Sequence, residues 1–144
     1  MAAATVTTVI RAPRAIVYDV FADKERWSTF LPIQTKLVEA GTPTPQGVGA
    51  VHQLGVGPVG VKERITEVVP LERIRYELIA FGPVRGHSGE IIFADEGAAT
   101  RVTYRMETTP SIPVPRRLLA SSLRALIGVM VFGARRAVRR RATG

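Results

Sequence analysis

The 144-residue sequence contains no cysteine. Disulfides, thiol nucleophiles and zinc–thiolate centres are therefore excluded together. Other chemical signatures are missing too. There is no nucleophile elbow, no phosphate-cradling glycine loop and no defensible Ser/His/Asp set. GVGAVHQLGVG is glycine-rich but no helix follows it, so it is not a dinucleotide fingerprint. The two histidines, His52 and His87, have no carboxylate at metal-ligand spacing, so neither a metal site nor any other cofactor is expected. The opening MAAATVTTVI lacks the charged region and long apolar stretch of a secretory signal. The longest uncharged apolar run, Ala125 to Ala134, is about half the roughly 20 residues a membrane span needs. A cytoplasmic location follows as the expectation, with peripheral membrane contact left open.

Acidic residues are the minority, 12 against 20 basic, for a net charge of +8. Five of those charges sit in one stretch, RRAVRRR at Arg135–Arg141, and without them the chain carries only +3. The basic excess is terminal and not spread over a face, which makes nucleic acid the least supported partner. Hydrophobic residues make up 46% and charged residues 22%, a composition that folds. One domain over residues 1–144 is expected, with residues 135–144 as the basic tail of its last helix.

The chain reads in three parts. TVTTVI is β-branched and alternating, predicting a strand over Thr5–Arg11. Pro13 breaks it, and Ile16, Val17, Val20 and Phe21 recur at helical spacing. Asp23 can cap a second short helix, KERWSTFL, that Pro32 ends. Six alternating segments follow, near Ile33–Glu39, Gly47–Leu54, Val59–Val69, Arg73–Ala80, Val84–Ala94 and Thr100–Thr108. The breakers GTPTPQG, GVGP, PLE, FGP and DEGAA separate them. Connections this short permit hairpins but not parallel crossovers, so the sheet is an antiparallel meander. After PSIPVP, helical periodicity runs from Pro115 to about Arg140, a rod of roughly 39 Å. One helix covers only one face of a seven-stranded sheet, so the sheet must curl around it. The space between is filled by side chains or left as a cavity. The predicted class is α+β: a curved seven-stranded antiparallel sheet around a long C-terminal helix, with two short helices after the first strand.

The stretches IRAPRAIVYDVFADKERWSTFLP, GVGAVHQL, VKERITEVVPLERIRYEL, GPVRGHSGEIIF and TRVTYRME, in this order from Val6 to Glu107, resemble the START-like, or SRPBCC, superfamily. That group includes polyketide cyclases/dehydrases and lipid-transfer domains with the helix-grip fold. The resemblance implies a hydrophobic cavity between sheet and C-terminal helix, and a role as carrier, cyclase or sensor. The final helix of such proteins usually ends in mixed charge, whereas this one ends in arginine. No function for the tail follows from the resemblance.

Alternation assigns faces. Ile74, Tyr76 and Leu78 form one apolar series, Val102, Tyr104 and Met106 another, and His87, Gly89, Ile91 and Phe93 a third. The tyrosines and His87 are then polar tips on an apolar wall, fit to orient a mainly hydrophobic ligand. They are equally read as core residues bonded to backbone. His87 and Tyr104 are the acid–base candidates if the protein is an enzyme. Trp27 is read as a packing anchor or a gate at the cavity mouth. Glu63 and Glu67, four residues apart on a strand, would lie roughly 13 Å apart, too far to share a proton. Both are assigned to ion pairs on the solvent face.

On the last helix Leu119, Leu123, Leu126 and Met130 form the expected core and ligand-facing stripe. Arg117, Ser121, Arg124, Gly128, Arg135 and Arg139 lie opposite. Arg135/Arg139 and Arg136/Arg140 are like-charged pairs one turn apart, so a solvated, partly frayed end is the first reading. Val131 and Phe132 fall near the arginines. Phe132 with Arg135, Arg136, Arg139 and Arg140 makes a second reading, contact with an anionic membrane or a partner. The leading function is binding or transport of a hydrophobic small molecule, a lipid or polyketide-like compound. The alternative is a polyketide cyclase/dehydratase-type enzyme. A homodimer stays open.

Overall fold

The computed structural model describes residues 2–29, 31, 33–56, 59–80, 84–111 and 113–143. The expected turns at GVGP and FGP, the stop at Pro32, Ile112 within PSIPVP and the final Gly144 fall on or across positions outside these residues. β1 (Ala2–Ile10) leads into α1 (Arg14–Ala22) and a 3-10 helix (Lys24–Thr29). β2 (Gln34–Glu39), β3 (Val51–Val56), β4 (Val59–Val69), β5 (Arg73–Ala80), β6 (Val84–Glu96) and β7 (Ala99–Pro110) follow, and α2 (Arg116–Thr143) ends the chain. The sheet order is β1-β7-β6-β5-β4-β3-β2, with every pairing antiparallel. β2 to β7 form the meander that short connections dictate. β1 closes the other edge by pairing with β7 from Ala2↔Thr108 to Ile10↔Thr100.

The differences from expectation are local. β1 starts earlier than expected because three alanines, poor strand formers alone, are carried by their ladder to β7. Pro13 is the N-cap of α1, and the Asp23 N–H bonds the Asp19 carbonyl at 3.0 Å to end it. The second helix is a single 3-10 segment. Gly47 to Ala50 form a turn, not the start of β3, and Gly49 holds φ +89°, a conformation glycine adopts without strain.

α2 packs mainly on β1 and α1 and makes little backbone contact with β3, β4 and β5. Its buried stripe is Leu123, Ile127, Val131, Ala134 and Val138, at steps of four, four, three and four. Of the stripe expected from sequence as core, Leu123 alone belongs to this buried stripe. Leu126 is 47% exposed, and Leu119 and Met130 are half-buried. Val131 belongs to the core and not beside the arginines. Ala125 to Ala134 carry no charge on any side of the helix, so periodicity left the rotation of this stretch undetermined. By length and composition Arg116–Arg141 could also cross a membrane, but its stripe against β1 and α1 is that of a core helix. Nor is the basic end frayed. Ala134, Ala137 and Val138 are buried, Arg135 donates to the Thr8 hydroxyl of β1, and Arg141 pairs with Asp19 of α1.

Candidate functional site

Where α2 stands off β3–β5, a cavity of about 450 Å³ opens, a volume suited to a small organic ligand. The sheet contributes Leu54 and Gly55 from β3, Val61 and Glu63 from β4, Tyr76 and Leu78 from β5, and His87, Met106 and Thr108 from β6 and β7. Leu119, Leu123, Leu126, Val129 and Met130 line the helix side, with Trp27, Leu31 and Ile33 at the end near the 3-10 helix. Two other hollows, of about 410 and 510 Å³, are edged by charged or polar side chains such as Arg75, Glu90 and Arg105, or Asp19, Asp23 and Gln46. Of these three, the first alone combines size with an apolar lining.

Nine of the residues singled out from sequence meet on this wall: Trp27, Tyr76, Leu78, His87, Met106, Leu119, Leu123, Leu126 and Met130. Ile74, Ile91, Phe93, Val102 and Tyr104 do not. They are buried in the core, where Phe21 of α1 packs edge-on against Phe93 and Tyr104 at 5.7 and 6.3 Å between ring centroids. α1 fills that half of the grip, and the open space is confined to the other half. Trp27 is 1% exposed and donates its indole N–H to the Val20 carbonyl at 3.2 Å. It anchors the packing and forms wall, not an exposed gate.

The polar groups fall into three sets. Tyr76 donates to the Tyr104 hydroxyl at 2.7 Å, and Tyr104 donates to the Met130 sulfur at 3.7 Å. Burial raises both phenols above their ordinary value, so they stay protonated. Gly89 lies under the Tyr76 ring: a Cβ there would stand 2.2 Å from the ring carbon that bears the hydroxyl. His87 Nδ1 is hydrogen-bonded to the Thr108 hydroxyl, and burial lowers its pKa. At neutral pH its imidazole is uncharged.

The third set is not where sequence placed it. Glu63 is buried and in contact with the Lys24 ammonium. The cause is a pair of register shifts. β5 skips Ile79 between the Lys62↔Ala80 and Glu63↔Leu78 pairs, and β4 carries Thr66 as an extra residue between Ile65↔Tyr76 and Glu67↔Arg75. The extra residue turns Glu63 and Ile65 inward while Glu67 stays outside. Glu67 there bonds Arg73 at 2.7 Å and Arg75 at 3.3 Å, the solvent-face pairing expected of it. Lys24 sits over the rings of Tyr76 and Trp27, 4.2 and 4.7 Å from their centroids, which favours a cation. Burial nonetheless pushes its amine down to about 7. Behind it, His52 is fully buried, with Nε2 2.6 Å from the Gln46 side-chain Oε1 and Nδ1 without a partner among the described residues. Burial first, and the Lys24 charge second, hold its pKa at about 4. No group of three or more His, Asp or Glu among the described residues is arranged to hold a metal ion.

Sequence reasoning missed Leu31, Ile33, Leu54, Gly55, Val61, Glu63, Thr108 and Val129 on the wall and Lys24 behind it. Alternation was ambiguous in VHQL, and GVGP was read only as a breaker. A lone lysine beside Asp23 carries no sign of burial.

A family model described as "Polyketide cyclase / dehydrase and lipid transport" matches residues 1–141. No functionally curated protein matches the sequence. Among solved structures, a START superfamily protein from Mycobacterium smegmatis superposes with a TM-score of 0.85 at 11% identity, over 96% of this chain and 97% of that one. The Zhui aromatase/cyclase from Streptomyces sp. R1128 gives 0.79 at 18% identity, over 97% and 94%. A protein from Thermus thermophilus gives 0.74 at 21%, over 96% and 98%. At these identities the likeness is one of fold.

Proposed function

The chain belongs to the polyketide cyclase/dehydrase and lipid-transport family, and from that premise we propose that it binds and carries a hydrophobic small molecule, of lipid or polyketide-like class, in the cavity beneath α2. The observation that carries this reading is the apolar lining of an open-mouthed cavity of about 450 Å³ between sheet and helix. Apolar burial supplies the driving force, at roughly 25 cal/mol per Å² hidden from water. Native mass spectrometry of the purified protein, followed by organic extraction, tests it. The expected result is an adduct of a few hundred daltons that extracts as an apolar compound. A bare chain that also takes up no apolar compound on incubation contradicts the reading.

A second reading, a cyclase/dehydratase, draws support from His87, whose uncharged ring lines the cavity. A neutral imidazole is a competent general base. Tyr104 lies behind Tyr76 and is not a lining residue. Loss of turnover in His87→Ala, with ligand binding kept, supports the enzyme. Unchanged turnover of an accepted substrate in that variant removes it.

For delivery, we propose that the outer face of α2 rests on an anionic membrane surface. Leu118 and Phe132 are exposed there, Leu126 and Val129 stand at the rim between that face and the cavity, and the Arg136 guanidinium lies 6.0 Å from the Phe132 ring centroid. α2 contains eight arginines and no acidic residue, which complements anionic lipid. Arg135, tied to Thr8, is turned away from that surface. Binding to vesicles containing phosphatidylglycerol should be salt-sensitive and weakened by Phe132→Ser. No binding at low salt contradicts the proposal.

A further inference from the structure

Glu63 is 5% exposed, and the cavity is what it faces. One carboxylate oxygen, Oε1, is taken by Lys24. The other has no hydrogen-bond partner among the described residues and is not closed off as a buried atom. It therefore opens on a space whose neighbouring walls are Leu54, Val61 and Leu78. A carboxylate has about four lone-pair positions, and leaving them unpaired in apolar surroundings is costly. The bulge at Thr66 turns this side chain inward, and Lys24, sealed between Trp27 and Tyr76, is its counter-charge. Lys24 is not itself a lining residue, so a guest meets the acceptor and not the ammonium.

We infer that the Lys24–Glu63 pair is a ligand-selecting subsite, which accepts a hydrogen bond from an uncharged hydroxyl or similar donor on an otherwise apolar ligand. This rests on the proposed ligand-binding function. At pH 6, below the value of about 7 to which burial brings Lys24, the pair holds one proton and is net neutral. A fatty carboxylate would bring a second negative charge against Glu63, and an alkylammonium would leave the site with an unbalanced positive one. Charges buried without a partner are strongly disfavoured. A neutral donor satisfies the open oxygen and adds no charge. Of the other polar groups on the wall, the Tyr76 hydroxyl donates to Tyr104 and His87 Nδ1 is bonded to Thr108; His87 Nε2 is a separate polar group, and the double substitution below tells its contribution from that of the pair.

The experiment compares four probes of one chain length on the whole protein: 1-decanol, 1-methoxydecane, decanoate and decylammonium, each displacing a neutral fluorescent apolar dye at pH 6.0, where Lys24 keeps its proton and decanoate stays ionised. The expected order places 1-decanol at least tenfold tighter than its methyl ether, which lacks the donor, and at least tenfold tighter than both ions. In Lys24→Met/Glu63→Leu, an exchange of a buried pair for apolar residues that proteins commonly tolerate, 1-decanol and the ether should bind within about twofold of each other. Equal binding of all four to the unaltered protein overturns the inference while leaving the cavity reading intact, and needs no variant. So does a preference for decanol that survives the double substitution. Binding of none of the four overturns the cavity reading, and this inference with it.

Discussion

The Nζ of Lys24 meets Oε1 of Glu63 across 39 positions of sequence, with Lys24 sealed and Glu63 buried but for its edge on the cavity. The contact ties the 3-10 helix to β4 at the end of the cavity. Breaking a buried pair leaves one charge without its partner, and such losses run to about 3–5 kcal/mol. Lys24→Met and Glu63→Leu alone should each destabilise by this order. The double variant should cost much less than their sum. Urea unfolding of all four species measures the coupling, and additive costs would show that the two groups do not interact.

His52 gives a pH dependence with a definite sign. The unfolded imidazole takes its proton near 6.5, whereas the folded one resists until about 4. The folded state therefore binds fewer protons across this window. Stability is fully present above pH 6.5 and is lost as the pH falls towards 4, by up to about 3 kcal/mol. Carboxylates titrate in the same range, so the quantity to measure is the difference between the unaltered chain and His52→Phe. That difference should change between pH 6.5 and 4 and stay flat between 7 and 8.

Gly89 holds its place because the Tyr76 ring occupies the space of a side chain. Gly89→Ala should push that ring off the sheet, breaking its bond to Tyr104 and its stacking under Lys24. Overpacking of this kind costs about 1–3 kcal/mol. Gly97, in the tight turn between β6 and β7, has open space where a Cβ would stand but holds φ +61°. Gly97→Ala should be strained by backbone alone and leave the Tyr76 environment unchanged. Near-ultraviolet circular dichroism separates the two, since only the first variant should alter the tyrosine signal.

The rotation of α2 is tested by neighbouring residues. Ile127 is fully buried and Leu126 is 47% exposed. Ile127→Ala should cost about 2–5 kcal/mol, and Leu126→Ala under about 1 kcal/mol. The reverse order in thermal unfolding would restore the stripe read from periodicity.

The meander and the terminal helix were legible because alternation, Gly/Pro breakers and a long unbroken helical period each leave a mark on composition. Inward series such as Tyr76 and Leu78 followed from the same alternation. What stayed hidden has particular causes. A bulge slips the period by one without altering residue types, so Glu63 seemed to share the face of Glu67. Lys24 reads as a surface residue until Trp27 and Tyr76 close over it. Between Ala125 and Ala134 α2 carries no charge on any side, so its sequence says helix but not which way that stretch is turned. That α1 would fill half the grip, leaving Phe93 and Tyr104 in solid core, depends on packing between distant segments, which no local pattern encodes.

Carrier, cyclase and subsite alike require the hollow under α2 to accept a guest, and a titration with the neutral dye N-phenyl-1-naphthylamine tests this most directly. It should show saturable one-to-one binding, abolished in Val61→Trp/Leu119→Trp, which fills the space from the sheet and helix sides with far-ultraviolet circular dichroism unchanged. Absence of saturable binding, or binding undiminished in the filled variant, would contradict it.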